Sequence, residues 1–198
     1  CYLYFHMKKA IFFYISIFFV TSLFSQEDSV LYFLNSSKQD SIKATELIDL
    51  AYRLDSKEEI NNAMQVLIKC SAFTNKKKLT KFYIKSEKLR AFLLVKTSKY
   101  DEAFLVTNKL LSYSIKNNSI IGKAYSNRLF AIIEMNKGHL DVSVKKYLET
   151  QNFWEATKDS SLIIEGLSDL AIAFFYQKDY RNAIKYWKKT TNYYISHR

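Results

Sequence analysis

The chain has 198 residues, of which 30 are Lys or Arg and 19 are Asp or Glu, so its formal net charge is +11. It contains three Gly and no Pro, and because the turns of β-rich domains draw on these residues, a β-sandwich or β-barrel is excluded. Hydrophobic residues at 48% and aromatic residues at 16% also exclude an intrinsically disordered chain.

The N-terminus has the layout of a targeting segment. Residues 1–6 precede the first plausible start, Met7, and are interpreted as translated upstream sequence. Lys8 and Lys9 then precede an uncharged, largely apolar stretch over residues 10–24. A short basic region followed by such a stretch is typical of a signal peptide.

The length of the apolar stretch favours export over membrane anchoring. Fifteen helical residues span about 22 Å, which is short of a hydrocarbon core of about 30 Å. We therefore predict that residues 7–25 form a signal peptide cleaved after Ser25. The alternative is an uncleaved N-terminal anchor, because Leu23 is larger than the residue that a signal peptidase prefers at that place. Residues 26–41 are predicted to form a short leading helix, over 28–34, and a loop.

The rest of the chain repeats with a period of 40 residues. Two columns of small residues carry this period, and they contain seven Ala and one Ser: Ala51, Ala91, Ala131 and Ala171, then Ala63, Ala103, Ser143 and Ala183. Seven alanines in eight positions is far beyond chance for a residue of ordinary frequency. A fixed period of this length indicates a repeat architecture.

Apolar residues at helical spacing before and after a short polar break predict two helices in each unit. The predicted pairs are 42–55 with 58–72, 79–97 with 100–115, 120–136 with 139–156, and 160–177 with 180–196. Small side chains at one position of each helix allow close approach of the two backbones. One pair cannot bury both of its faces, so we expect the four units to stack and share a core.

Polar segments separate the predicted units. They contain Asn, Asp and Ser, which can end one helix and cap the next through hydrogen bonds to free backbone N–H groups. The segments are residues 74–78, 116–119 and 157–160.

The repeat resembles the tetratricopeptide repeat (TPR) family. The last unit carries the clearest match, with Leu170-Ala171, Phe174, Tyr180 followed by Ala183, and Trp187. The resemblance covers residues 44–196 and implies an all-α, right-handed α-solenoid of about four antiparallel helix pairs. The period of 40, where the family usually has 34 with a closing Pro, implies longer helices and a different superhelical pitch.

A second resemblance suggests a larger protein. The run Asp40-Ser41-Ile42-Lys43, followed by Leu47 and Leu50-Ala51, is similar to the opening of N-terminal sensory regions of bacterial two-component sensor kinases and helix-turn-helix regulators. This similarity implies that the chain is a fragment. Aromatic residues near the last helix support the hypothesis that the natural product continues past Arg198, because a terminal repeat usually has a polar outer face; they are Tyr186, Trp187, Tyr193 and Tyr194.

No catalytic or cofactor motif emerges from the sequence. Gly122-Lys123 lacks the upstream glycine of a phosphate-binding loop and is predicted to lie on a helix surface. After cleavage, Cys70 is the remaining Cys, beside His139 and His197. An intramolecular disulfide and a Cys/His metal site are therefore not expected, and both histidines are predicted to be solvated. We predict no enzyme activity, no metal and no cofactor.

A lysine-rich stretch is the densest charged patch of the chain. It comprises Lys76, Lys77, Lys78, Lys81, Lys85, Lys88 and Arg90. Such a patch can attract nucleic acid or acidic surfaces. Because the positions start in a loop and continue around a helix, we interpret most of them as solvated, and we do not expect a nucleic-acid partner for an exported chain.

The resemblance implies where a partner binds. In TPR proteins the first helix of each unit lines a concave groove that holds a protein or peptide. Carried over, the groove contacts are Lys85, Lys88, Tyr125, Arg128, Glu165 and Tyr176. The position that the family uses for a carboxylate-binding Asn holds apolar residues instead, so that mode of recognition is not expected; the residues are Tyr52, Phe92, Ile132 and Ile172.

These observations predict a non-catalytic protein-interaction or scaffolding module of the bacterial envelope, exported to the periplasm, and the input region of a larger signalling protein. Membrane contact is expected only through the N-terminal segment or a missing C-terminal part. The alternative is a basic cytoplasmic helical-repeat protein that binds nucleic acid or acidic surfaces.

Overall fold

The computed structural model describes residue 30 and residues 32–196, and it contains no strand in that part of the chain. From residue 40 to residue 196 the helices follow one another after two or three residues. They are α1 (Asp40–Ser56), α2 (Ile60–Lys76), α3 (Thr80–Lys96), α4 (Tyr100–Lys116), α5 (Ile120–Asn136), α6 (Leu140–Thr157), α7 (Ser160–Tyr176) and α8 (Tyr180–Ser196). The predicted upstream residues 1–6 and the predicted signal peptide 7–25 lie outside the described residues.

The chain divides into two compact units, Cys1–Glu46 and Leu47–Arg198. In the described part of the first unit, residues 32–34 are helical and residues 35–39 form a turn and bends before α1 begins. Within this unit the Lys43 ammonium donates a 2.9 Å hydrogen bond to the Leu34 carbonyl oxygen. Lys38 also lies 2.8 Å from the Glu46 carboxylate.

A residue in the left-handed backbone region follows each of the first seven helices, at intervals of 20 residues. Gly138 has a φ of +86°, and the other six have φ between +51° and +64°: Glu58, Lys78, Ser98, Asn118, Lys158 and Lys178. This conformation lets the next N–H reach back and close the helix, as Lys99 does to the Leu94 carbonyl at 2.8 Å. The 40-residue period is therefore two half-repeats of 20 residues.

Successive helices of the second unit pack against one another from α2 through to α8, and α3 also contacts α5. The predicted all-α solenoid of helix pairs with a 40-residue repeat is confirmed. The side chains of both small-residue columns are completely buried: Ala51, Ala91, Ala131, Ala171, Ala63, Ala103, Ser143 and Ala183. The largest buried apolar cluster lies between α3, α4 and α5 and includes Tyr83, Leu94, Leu110, Leu129 and Ile133.

The segments between units are shorter than the sequence suggested. Residues 74–76 belong to α2, because the Thr74 hydroxyl donates to the Cys70 carbonyl at 2.8 Å and stays inside the helix. The predicted caps occur at two places. The Ser119 hydroxyl accepts from the Gly122 N–H at 3.1 Å, and the Asp159 carboxylate accepts from the Ser161 N–H at 2.9 Å.

Two glycines allow close helix approach. Gly122 is buried, which corrects the prediction that it lies on a helix surface. A Cβ at this position would overlap the Ser114 hydroxyl and would lie 2.8 Å from the Ser114 Cβ. A Cβ at Gly166 would likewise overlap the Gln151 side chain and would lie 2.7 Å from Trp154 Cδ1. At these crossings the missing side chain is a packing requirement.

Candidate functional site

The first helices of the units, α1, α3, α5 and α7, bring most of the predicted contact residues together. Lys88 on α3 and Arg128 on α5 occupy the same position of successive repeats, 40 residues apart. Tyr125 on α5 and Glu165 on α7 share another repeat position. We call the surface formed by Tyr52, Phe92, Lys88, Tyr125, Arg128, Glu165 and Ile172 the first-helix face.

Lys88 and Tyr125 form a cation–π contact between α3 and α5. The Lys88 ammonium nitrogen lies 4.2 Å from the centroid of the Tyr125 ring, well within the range in which the ring face attracts a cation. Burial lowers the pKa of Lys88, and the nearby charge of Glu165 opposes this effect. The Tyr125 ring also packs edge-on against the buried Trp154, with centroids 4.9 Å apart. Tyr125 is thereby held as a fixed platform beneath the Lys88 ammonium.

Arg128 is the centre of an ion-pair network that joins α5 to α7. Its Nε donates to Asp169 at 2.6 Å, and its Nη2 donates to the other oxygen of the same carboxylate at 3.2 Å. Its Nη1 lies 3.1 Å from the Glu165 carboxylate. Burial alone would lower the pKa of Arg128, but the hydrogen bond and the charge of Asp169 outweigh it and raise that pKa. Since both carboxylates engage the guanidinium, Arg128 acts first as an inter-repeat link.

Asp169 and Tyr147 belong to this network, although the sequence analysis did not select them. Burial and the charge of Asp169 raise the pKa of the Tyr147 phenol, and Arg128 opposes the shift. One sequence signal was present. Asp169 follows Arg128 by 41 residues, and the same spacing joins Asp55 to Lys96, whose charged atoms lie 2.8 Å apart.

An apolar column runs along the first helices at the 40-residue spacing. The exposed fractions are 48% for Tyr52, 45% for Phe92 and 40% for Ile172, whereas Ile132 is partly buried against the core. Tyr52 and Tyr125 influence each other electrostatically, so the column passes close to the charged cluster. Side chains that could have been buried by a stacked helix are instead half open at regular spacing.

The remaining two predicted contacts lie apart from the Lys88–Glu165 cluster. Lys85 is exposed, and its charge lowers the pKa of Lys88 after burial has done so. Tyr176 is 57% exposed at the end of α7, and its ring contacts Phe175 with centroids 6.1 Å apart. Tyr176 therefore belongs with aromatic residues near the last helix.

Other sequence candidates have simple surroundings. His139 is exposed, and its Nδ1 lies 2.7 Å from Glu134 Oε2, while His197 lies outside the described residues. Across residues 32–196 no group of His, Cys, Asp and Glu could hold a metal ion. No helix described here is long and apolar enough to span a bilayer. The lysine-rich patch is solvated at Lys76, Lys77, Lys78, Lys81 and Lys85.

Comparison with known proteins identifies the fold. No family model and no curated protein matches the chain. The apo form of RapI matches with a TM-score of 0.64 and 16% identity over 79% of this chain, which spans only 44% of the RapI chain. BtubC from P. vanneervenii matches with a TM-score of 0.65 and 9% identity, covering 86% of this chain and 71% of that one.

A third solved structure has a name that states its repeat class. The TPR-like repeats of a Podosopora anserina kinesin light chain match with a TM-score of 0.58 and 13% identity, over 85% of this chain and 82% of that chain. At these identities the likeness concerns the fold. It agrees with the helix pairs, the buried small-residue columns and the 40-residue period. The chain has the all-α solenoid fold of TPR-like repeat proteins.

Proposed function

We propose that this protein is a non-catalytic interaction module that binds a protein or peptide segment on its first-helix face, in the concave groove of the solenoid. The observation that carries the proposal is the apolar column of Tyr52, Phe92 and Ile172, which is 40–48% exposed and runs beside a charged cluster. Regularly spaced anchors next to fixed polar groups suit the recognition of an extended or helical segment.

The charged groups define the chemistry of the ligand. Arg128 is engaged by Asp169 and Glu165, whereas among the described residues no carboxylate lies within ion-pair distance of Lys88. The Lys88 ammonium rests on the Tyr125 ring beside the exposed Lys85. A segment with apolar side chains and a nearby carboxylate would therefore bury its apolar groups on the column and place its charge at the two lysines.

A peptide selection tests this proposal. A random peptide library is selected against the full chain, and the dissociation constants of the recovered peptides are measured by fluorescence anisotropy. We expect acidic, apolar peptides whose affinity falls about tenfold or more in Phe92→Ala and in Lys88→Gln, in line with the loss of interface anchors. Lys109→Gln is the matched control, because Lys109 is exposed on a second helix, α4. Equal affinity in all three variants would contradict binding on the first-helix face.

We further propose that the module acts on the outer side of a bacterial inner membrane, as the input region of a larger signalling protein. The basic and apolar layout of residues 7–25 supports export. A phosphatase fused after Asp28 should be active outside the cytoplasm, and deletion of residues 10–24 should abolish that activity. An inactive fusion with the complete N-terminus would favour the basic cytoplasmic alternative. Sequencing the DNA downstream of Arg198 tests the signalling role, since a stop codon there would remove it.

A further inference from the structure

Four positions on each second helix face the following unit. In α2, α4 and α6 these positions are buried, except for the partly buried Leu111. They are Leu67, Cys70, Ser71 and Thr74 in α2, then Thr107, Leu110, Leu111 and Ser114 in α4, then Tyr147, Thr150, Gln151 and Trp154 in α6. The repeat therefore reserves this row of each second helix for contact with the first helix of the next unit.

The contact between α6 and α7 shows how the row is covered. Gly166 of α7 lies so close to Gln151 and Trp154 that a Cβ there would overlap the Gln151 side chain. Ile163 and Leu167 of α7 pack around the Trp154 ring in one buried cluster. The covering helix thus presents a residue without a side chain at the crossing, with apolar residues around it.

Small residues also occupy the other two crossings. Gly122 of α5 approaches Ser114 of α4, where a Cβ would overlap the serine hydroxyl. The hydroxyls of Ser71 in α2 and Ser86 in α3 lie 3.0 Å apart. All three covered rows therefore meet a helix that carries Gly or Ser at the crossing.

The corresponding row of α8 is open. Trp187 is 42% exposed and Tyr194 is 52% exposed, whereas their equivalents Tyr147 and Trp154 are 3% and 0% exposed. Thr191 between them is exposed as well. Within the described part of the chain, Ala183 is the one buried residue of α8. We call Trp187, Thr190, Thr191 and Tyr194 the terminal row.

The charge of α8 restricts what can cover the terminal row. The helix carries four basic side chains and no acidic one, and the basic residues are Arg181, Lys185, Lys188 and Lys189. The Lys185 and Lys189 ammonium groups lie 5.9 Å and 5.3 Å from the centroid of the Tyr186 ring. A covering helix with carboxylates along its edges would complement these cations.

We propose that the terminal row binds an acidic amphipathic helix of a partner protein, which crosses α8 as α7 crosses α6 and places a Gly, Ala or Ser over Thr191 and Tyr194. Its apolar residues pack against Trp187 and Tyr194, and its carboxylates lie near the lysines of α8. This site is on a second helix and does not depend on the first-helix face.

Two other occupants fit the row less well. A second copy of the chain would bring the cations of α8 against those of its partner, which is unfavourable. A membrane-inserting face would be apolar along its centre, but here the centre is Thr190 and Thr191. Their hydroxyls donate to the Tyr186 and Trp187 carbonyl oxygens at 3.0 and 3.1 Å, an arrangement that suits a helix crossing at close range.

A synthetic peptide based on α7 tests the proposal with the full chain. The probe is a 17-residue helix that keeps the residues of positions Ile163, Gly166, Leu167 and Leu170 at their spacing and carries Glu elsewhere. Fluorescence anisotropy of the labelled probe should show saturable binding. Affinity should fall about tenfold or more in Trp187→Ala and Tyr194→Ala, and Tyr32→Ala, which removes an aromatic side chain that is 82% exposed, should leave it unchanged.

The peptide sequence provides a second test. A probe with Leu in place of its central Gly should bind at least about tenfold more weakly, because the crossing has no room for a side chain, and a probe with Lys in place of Glu should also weaken. Peptides selected for the first-helix face should not compete, which separates failure of this proposal from failure of the proposed function.

Four outcomes would overturn the proposal. The first is equal binding of the Gly and Leu probes, and the second is a dimer of the chain that Tyr194→Ala dissociates while the probe does not bind. The third is binding to phosphatidylglycerol vesicles that needs the terminal row and is not displaced by the probe. The fourth is loss of probe binding in the chain translated to the stop codon of its source DNA, which would indicate that the chain covers its own row.

Discussion

The Ser143 hydroxyl donates a 2.8 Å hydrogen bond to the Ala131 carbonyl oxygen, which joins the two small-residue columns at the crossing of α5 and α6. Both residues are completely buried. The other three units have Ala at both positions, so Ser143 is the one polar member of the columns. Its hydroxyl is accommodated because the neighbouring backbone supplies an acceptor at the distance set by the close approach.

Replacing Ser143 tests whether size governs this position. Ser143→Ala loses one hydrogen bond but keeps a small side chain, and we expect the free energy of unfolding to fall by about 1 kcal/mol or less. Ser143→Val adds methyl groups to a closed crossing and should cost about 1–3 kcal/mol. Urea titration of both variants measures the difference. A valine variant as stable as the alanine variant would show that the columns do not require small residues.

The sequence predicted the helix pairs because small residues at crossings recur where backbones meet. It overestimated the segment at residues 74–78, because Thr74 suggested a helix end, whereas its hydroxyl bonds within α2. The 20-residue half-period was not predicted, since Glu58, Lys78 and Ser98 are not residues that favour the left-handed region. Backbone conformation there is imposed by the packed helices on either side.

The candidate site was predictable where the repeat position determines placement. Lys88, Tyr125, Arg128 and Glu165 come together because they lie on the corresponding faces of neighbouring first helices. Asp169 could not be chosen from the sequence, since an Asp on a helix usually stays solvated and only its partner shows its role. The packing function of Gly122 was missed for a similar reason, because it depends on Ser114 from another helix.

Two glycine substitutions should destabilise the fold for different reasons. Gly138→Ala meets no atom within 4 Å, so its cost comes from the φ of +86° and should be about 1 kcal/mol. Gly122→Ala forces a methyl group into Ser114 and should cost about 1–3 kcal/mol. Thermal and urea unfolding give both values.

Partner substitutions separate the two causes. Ser114→Gly in the Gly122→Ala background should recover part of the lost stability beyond what the single changes predict, because the overlapping atoms are gone. The same change in the Gly138→Ala background should be additive. Additivity in both backgrounds would rule out a steric origin for the Gly122 effect.

A backbone that favours glycine also offers a stabilising change. Ser98 has a φ of +59°, a conformation that costs a non-glycine residue about 1 kcal/mol. Ser98→Gly should therefore raise the midpoint of thermal unfolding, although the greater freedom of glycine in the unfolded chain reduces the gain. Ser112→Gly, inside α4, is the control and should lower the midpoint. A lower midpoint for Ser98→Gly would indicate that its side chain stabilises the turn.

The buried thiol of Cys70 should make stability sensitive to alkali. Burial raises its pKa from about 9 to about 12, and the charge of Glu87 adds to this, whereas a hydrogen bond with Ser86 opposes it. Because the folded pKa is above the unfolded one, the unfolded chain binds fewer protons between pH 9 and 12. The contribution of the neutral thiol is complete below pH 9 and declines as the pH rises through this range, by about 1.4 kcal/mol per pH unit.

Cys70→Ala isolates this effect. The variant loses some stability at pH 7 because its core has a cavity, but its free energy of unfolding should fall less steeply with pH between 9 and 12 than that of the parent chain. Tyr83, whose pKa burial raises to about 12, remains in both proteins and gives a shared slope. Parallel curves would mean that the Cys70 thiol is not protected in the folded state.

Two inter-repeat ion pairs should differ in strength because their surroundings differ. Lys137 lies 2.9 Å from Asp101, whose side chain is 96% exposed, whereas Arg128 reaches the mostly buried Asp169 at 2.6 Å. An exposed pair contributes about 0–1 kcal/mol, and loss of one partner of a buried pair costs about 3–5 kcal/mol. We expect Lys137→Met to lower the free energy of unfolding by less than about 1 kcal/mol and Arg128→Met to cost more.

Salt and a second substitution distinguish a linked network from a local defect. Because salt screens exposed charges more than buried ones, 1 M NaCl should remove the effect of Lys137→Met and leave most of that of Arg128→Met. Adding Asp169→Leu to Arg128→Met should cost less than the two single changes together, since the uncompensated carboxylate is then absent. Urea titrations at both salt concentrations measure these values. Equal, salt-sensitive losses at the two sites would show that Arg128 does not stabilise the stacking of α5 on α7.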